Sequence, residues 1–327
     1  MANPNEQAAQ SPKTSKVIIA VNTSDDVGYF VDSEGNKLFN KQFEEVRSFS
    51  QGLAAVKQND KWGYINTKGE VVAPCIYDGP KSFFKGLARV KQNRKWGYIN
   101  PQGEVVAPCI YDWVDDFSEG LARVEQNEKF GYINPQGEVI ALCIYDDAWH
   151  FSEGLAEVKQ NGKWGFINTQ GEVVAPCIYD WAEEFSKGLA QVKQNDKYGY
   201  INTQGEVVAP CIYDWADDFS EGLARIEQNG KWGFITPKGE VVVPCVYDDV
   251  RWFHEGLARV EQNGKWGYIN PQGEVVIPCA YDGVENFSDG LARVKQNGKG
   301  SIINKEEKVI VAECGDWGTH WSKVEME

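Results

Sequence analysis

Residues 256–289 read GLARVEQNGKWGYINPQGEVVIPCAYDGVENFSD. Leu257 to Gln262 is a short run of alternating character, and Asn263-Gly264 follows it. A two-residue hairpin turn of type I′ needs positive φ at both central positions, which makes Asn-Gly its strongest short-range signal. Lys265 to Asn270 is then the returning strand. The turn pairs Gln262 with Lys265, Val260 with Gly267 and Ala258 with Ile269. Ala258, Val260, Gly267 and Ile269 therefore share one face, the expected core. Arg259, Glu261, Trp266 and Tyr268 take the other face, where rings pack under the aliphatic stems of charged side chains.

Asn270-Pro271-Gln272-Gly273 is a second turn, with Pro at its second place and Gly at its fourth. Glu274 to Ile277 forms a third strand that Pro278 ends or confines to a sheet edge. Cys279-Ala280-Tyr281-Asp282 leads into a variable segment before Phe287. No window carries a sustained 3.6-residue apolar period, so no substantial helix is expected. The Gly after the aromatic lies opposite Val260, where it makes room for a bulky neighbour or a second backbone.

This stretch is one copy of a repeat. Trp-Gly recurs every 34 residues at Trp62, Trp96, Trp164, Trp232 and Trp266, with Phe130 and Tyr198 in the two remaining places. A fixed period of this size is the mark of a repeat architecture. The expected fold is all-β, a tandem repeat of three-stranded β-meander units of 34 residues. One such unit cannot bury its own faces, whereas stacked copies can. Residues 16–327 are read as a single repeat domain of about nine units. Divergent ends, with Val27 and then Lys299-Gly300-Ser301 at the marker position, favour an open, capped, solenoid-like array. A closed β-propeller is the alternative, because Trp321 to Glu325 resembles one more opening strand that would meet the first.

The residues KWGYIN with a downstream Gly, a VVAPCIYD-like run and F-x-x-GLA-x-V resemble the bacterial WG-repeat (KWG) family, over nearly the whole chain. The resemblance implies β-rich repeats that act as interaction modules. It supplies no catalytic residues.

The chain has 327 residues and a formal net charge of −15. That balance opposes non-specific binding to nucleic acid or to anionic membranes, and it favours solubility and basic partners. Residues 1–15 are polar without an apolar core and are expected to be a disordered tail, not a secretion signal. The eight cysteines each keep a fixed place in their unit, with no C-x-x-C. Small apolar packing in a reducing, cytoplasmic compartment explains them better than zinc does. Tyr-Asp recurs from Tyr77-Asp78 to Tyr281-Asp282, and turn capping by the carboxylate explains it better than calcium does. His150, His254 and His320 form no recurring nucleophile–base pair. No cofactor, metal or enzymatic activity is expected.

The segment between Tyr-Asp and the recurring Phe differs most among copies. Its second position is always small or apolar and is expected to be buried. Around it stand Trp113, Trp149, Trp181, Trp215 and Trp252, with Asp115, Asp116, Glu183, Glu184, Asp217, Asp218 and Arg251. Aromatics and carboxylates on loops of a rigid frame make a contact surface for a protein partner. Alternatively each Trp braces its neighbouring unit. A non-enzymatic protein-interaction scaffold is the leading functional expectation. A carbohydrate-binding module is the second, since Trp, Asp and Asn can stack on and hydrogen-bond to sugars.

Overall fold

The computed structural model describes residues 17–314, which are all-β, with no helix. The expectations for residues 1–15 and for Trp321 to Glu325 lie outside the described residues. The chain divides into two compact units, 1–150 and 151–327.

In the first unit a three-stranded sheet (Ile18–Asn22, Gly28–Asp32, Lys37–Phe43) is followed by four-stranded sheets that begin at Glu45, Gly79 and Trp113. The second unit opens on the meander Leu155–Gln160, Lys163–Asn168 and Val173–Tyr179, and continues with four-stranded sheets from Trp181, Trp215, Asp249 and Gly283. The copy around Trp266 shows the pattern: Asp249–Val250, Ala258–Gln262, Lys265–Ile269 and Val275–Tyr281, antiparallel and in sequence order.

The hairpin register is the expected one, with Gln262 opposite Lys265, Val260 opposite Gly267 and Ala258 opposite Ile269. Asn263 and Gly264 both take positive φ, at 53° and 73°. Copies without glycine hold the same conformation, as at Asp60, Arg94, Glu128 and Asp196. At the second turn the Asn270 side-chain oxygen accepts the main-chain N–H groups of Gln272 and Glu274, at 3.1 and 2.9 Å.

Two expectations need correction. The unit has four strands, not three, because the first two residues of the variable segment pair with the hairpin. Trp113, Trp181 and Trp215 thus begin short strands and are not in loops. Of the two expectations for Pro278 the edge position holds: the third meander strand is the outer strand of its sheet and runs on past Pro278 to Tyr281 with an irregular register. The second hairpin face is packed as well, and more deeply than side-chain stems alone would cover it. Tyr268 is only 1% exposed, and its hydroxyl donates to the Glu285 carbonyl at 2.6 Å.

The core is a series of clusters, each shared by consecutive sheets. One joins Tyr268, Ile277 and Tyr281 to Val284, Phe287, Ala292 and Val294. The Tyr268 and Phe287 rings meet edge to face at 4.8 Å between centroids, an arrangement favoured by their quadrupoles. The second position of the variable segment is buried throughout, as at Val114, Ala148, Ala182, Ala216, Val250 and Val284. No helix among the described residues is long and apolar enough to cross a membrane.

Candidate functional site

Each copy is latched to the next through carboxylates. The Tyr-Asp carboxylate accepts the turn N–H of the following hairpin: Asp180 from Asn195 at 2.7 Å, Asp214 from Asn229 at 2.7 Å and Asp248 from Asn263 at 2.6 Å. The same groups pair with Lys163, Lys197 and Lys231. The lysine hydrogen bond and then the turn N–H hold these carboxyls below the usual range. The recurrence of Tyr-Asp is therefore turn capping. A second latch was not read from sequence: Glu153 accepts from the N–H groups of Lys187 and Gly188, both at 2.8 Å.

The twelve residues singled out by sequence fall into distinct settings. Trp113 lies against the Arg123 guanidinium at 5.2 Å, and Trp252 against Arg225 at 4.8 Å. Arg251 pairs with Asp249 at 2.6 Å. Asp116 pairs with Arg89 at 3.1 Å, Asp115 with Arg123 at 3.2 Å and Asp217 with Arg225 at 2.5 Å. Trp149 is 54% exposed. In the second unit Trp181 and Trp215 are 36% and 47% exposed and flank Tyr198, with centroids 6.2 and 5.5 Å away. Trp215 is fixed by its indole N–H, which donates to Asp217 at 2.8 Å. The structure thus gathers Trp181, Trp215, Glu183, Glu184 and Asp218 in one neighbourhood, and commits Trp113, Trp252, Asp115, Asp116 and Asp217 to internal arginines.

Those arginines follow a pattern. The carbonyl at the second position of the variable segment accepts a guanidinium N–H in copy after copy. Val114 receives Arg89 at 3.1 Å, Ala148 receives Arg123, Val250 receives Arg225 at 3.2 Å and Val284 receives Arg259 at 3.0 Å. Where Ala55 replaces the arginine, Arg47 reaches the equivalent Pro80 carbonyl at 3.3 Å. The guanidinium is retained in space even when it is lost in sequence. Two successive copies depart from this, with Glu157 and Gln191 at the arginine position. Gln191 donates its amide to the Ala216 carbonyl at 2.6 Å. Glu157, when ionised, has nothing to donate.

Beside these two positions is a concavity of about 520 Å³, with Tyr200, Phe219 and Leu189 among its apolar lining and Glu183, Glu184 and Asp218 among its polar lining, together with Lys187. Burial, and then the charges of Glu184 and Glu183, push the Glu157 carboxyl up to about 7. Burial and the neighbouring Asp218 raise Glu183 as well. Glu157 and Gln191 were missed from the sequence. The signal was there in the third residue of Leu-Ala-x-Val/Ile, which is Arg in five copies and Ala, Glu or Gln in the others.

A pH dependence follows. Between its ordinary 4.5 and about 7, folded Glu157 keeps a proton that the unfolded chain has released. Stability therefore declines as the pH rises through that window and is level above it. The capping aspartates act elsewhere: their depressed carboxyls contribute stability that is lost only as the pH falls below the ordinary 3.8. Glu157→Gln is expected to shrink the decline without abolishing it, since Glu183 contributes in the same direction. Urea unfolding of both proteins across the window measures this, and equal slopes would refute it.

A model of the family described as "WG containing repeat" matches eight consecutive stretches, 30–62, 62–96, 96–130, 130–164, 164–198, 198–232, 232–266 and 266–299. No curated protein matches the sequence. Among solved structures, one described as the eukaryotic initiation factor is 12% identical with a TM-score of 0.33, over 92% of this chain and 96% of that one. Hsv2 of Kluyveromyces lactis is 8% identical with a TM-score of 0.28, over 67% of this chain and 90% of that one. At these scores neither likeness carries a functional argument. The period, the hairpin register and the eight matched stretches lead to one conclusion: the chain belongs to the WG containing repeat family.

Proposed function

We propose that the protein is a non-enzymatic protein-binding scaffold whose contact surface in the second unit is the Trp181–Tyr198–Trp215 row with its adjoining acidic concavity. The observation that carries this reading is the row itself. Two large indoles stay well exposed beside a half-buried Tyr, while Trp113 at the equivalent place in its copy, and Trp252 three residues further into its segment, are half-buried against arginines. Rigid aromatic anchors beside charged groups are what partner-binding surfaces use. The carboxylates favour a basic polypeptide over a neutral glycan. Free thiols at the seven cysteines from Cys75 to Cys279 accord with a reducing compartment.

Selection of a displayed peptide library on the intact chain tests the proposal. Enriched peptides are expected to bind the Trp181→Ala/Trp215→Ala double variant at least about tenfold more weakly. Circular dichroism and unfolding controls establish that the variant keeps its fold. Failure to enrich any peptide, or equal binding by a folded double variant, would overturn the reading.

A further inference from the structure

The chain shows what its own acidic concavity is shaped to hold. In five copies a guanidinium occupies the space in front of the second-position carbonyl. From there it also reaches carboxylates at two fixed offsets. Arg89 pairs with Asp116, which lies 27 residues ahead. Arg123 pairs with Asp115, and Arg225 with Asp217, each 8 residues behind.

Applied to the two departing copies, these offsets name the groups left without an arginine. Residue 157 would face Glu184. Residue 191 would face Glu183 behind it and Asp218 ahead of it. Those three carboxylates are the acidic residues that line the concavity. The acidic cluster is thus what remains when two internal cations are taken away. Glu157 gives a second and independent sign. Its side chain is buried, with 9% of the residue exposed, and no described residue makes a hydrogen bond or ion pair with its carboxylate. Ionising a carboxyl so largely removed from water is costly, and a cationic partner relieves it.

From this geometry we infer that the concavity bounded by Glu183, Glu184 and Asp218, backed by Glu157 and Gln191, binds the guanidinium of an arginine side chain on a partner polypeptide. The incoming group would take the position that Arg225 takes one copy after Gln191, bidentate to carboxylate and resting near the Tyr200 and Phe219 rings. Guanidinium suits this site better than ammonium, because its planar fork presents donors to a carboxylate and stacks on aromatic faces. This inference rests on the scaffold reading only for the identity of the partner as a polypeptide.

The test uses the full chain and three small probes: the N-acetyl amides of arginine, lysine and citrulline. Binding is followed by the side-chain carboxyl NMR signals of Glu183, Glu184 and Asp218. The arginine probe is expected to shift these signals saturably. Citrulline, an uncharged near-isostere, is expected to bind at least about tenfold more weakly. Gln191→Arg supplies the missing guanidinium from within, as the neighbouring copies do, and is expected to abolish the response while the chain stays folded. Should Gln191→Arg fail to fold, Asp218→Asn with Glu183→Gln provides the second variant, with the same expected loss. Equal response to citrulline or lysine, or a full response in folded Gln191→Arg, would overturn the assignment. The two proposals fail separately. Selected peptides that need Trp181 and Trp215 but tolerate arginine-to-citrulline exchange would sink the arginine site and leave the scaffold standing. A positive arginine titration without any selected peptide would do the reverse.

Discussion

Gly165→Ala is expected to destabilise the protein by about 3 kcal/mol, a large effect for a single methyl group. The cause is a close approach of two backbones. A Cβ on Gly165 would lie 2.6 Å from the Ala175 carbonyl oxygen and 2.7 Å from both the Cys177 nitrogen and the Pro176 carbonyl carbon. All three are main-chain atoms of the bulged third strand, so no side-chain rotation relieves the clash. The bulge is where the register shifts between the Trp164–Tyr179 and Phe166–Ala175 pairs. Accommodating the methyl group means straightening that strand and losing the contacts that Ala175 and Tyr179 make in the core. Gly79→Ala is the control. A Cβ there meets nothing within 4 Å, and the change is expected to stay within about 0.5 kcal/mol. Urea unfolding midpoints at constant slope decide the matter. A Gly165→Ala variant as stable as Gly79→Ala would refute the close-approach account.

The hairpin was legible because its information is local. Asn-Gly and the 34-residue period each specify geometry within a few residues or by simple recurrence, and the register followed from them. The fourth strand was not legible. It is two residues long, it pairs with a hairpin several residues later, and in the copies that begin it with Trp it reads as an aromatic loop. Pro278 marked the edge strand correctly but not where that strand stops. A missing N–H is a defect in a central strand, but on the outer strand of a sheet it leaves no ladder position empty.

The candidate site was half legible. The exposed Trp181 and Trp215 and the acids beside them stood out because they vary among copies. What makes that place different from the other copies is not in the variable segment. It is one position in the most regular strand of the unit, where Arg89, Arg123, Arg225, Arg259 and Arg293 give way to Glu157 and Gln191. A neutralising partner 27 residues away is a three-dimensional fact, and only the stacking of copies shows which acids an arginine would have met. Trp113 and Trp252 show the converse. Trp113 holds the same place in its segment as Trp181 and Trp215, and Trp252 lies three residues further along its own, yet guanidinium groups stack on both rings.

Tyr268→Ala is expected to cost about 3–5 kcal/mol, against about 1 kcal/mol for Tyr268→Phe. The ring is almost wholly buried and packs edge to face on Phe287, which lies in the connection between the first two strands of the next sheet. Removing it empties the space between two copies, and the rigid strands on either side have little freedom to close the cavity. The hydroxyl matters less. It donates to the Glu285 carbonyl, yet Phe166 and Phe234 fill the same place in their own copies without any hydroxyl, against Phe185 and Phe253 at 4.9 and 5.0 Å. Trp266, the residue that marks the repeat, is only half-buried, so Trp266→Ala is expected to cost less than Tyr268→Ala. The ordering Tyr268→Ala, then Trp266→Ala, then Tyr268→Phe can be read from denaturant midpoints. Finding the Trp variant the least stable would mean that the surface row of indoles, and not the buried Tyr/Phe pairs, holds consecutive sheets together.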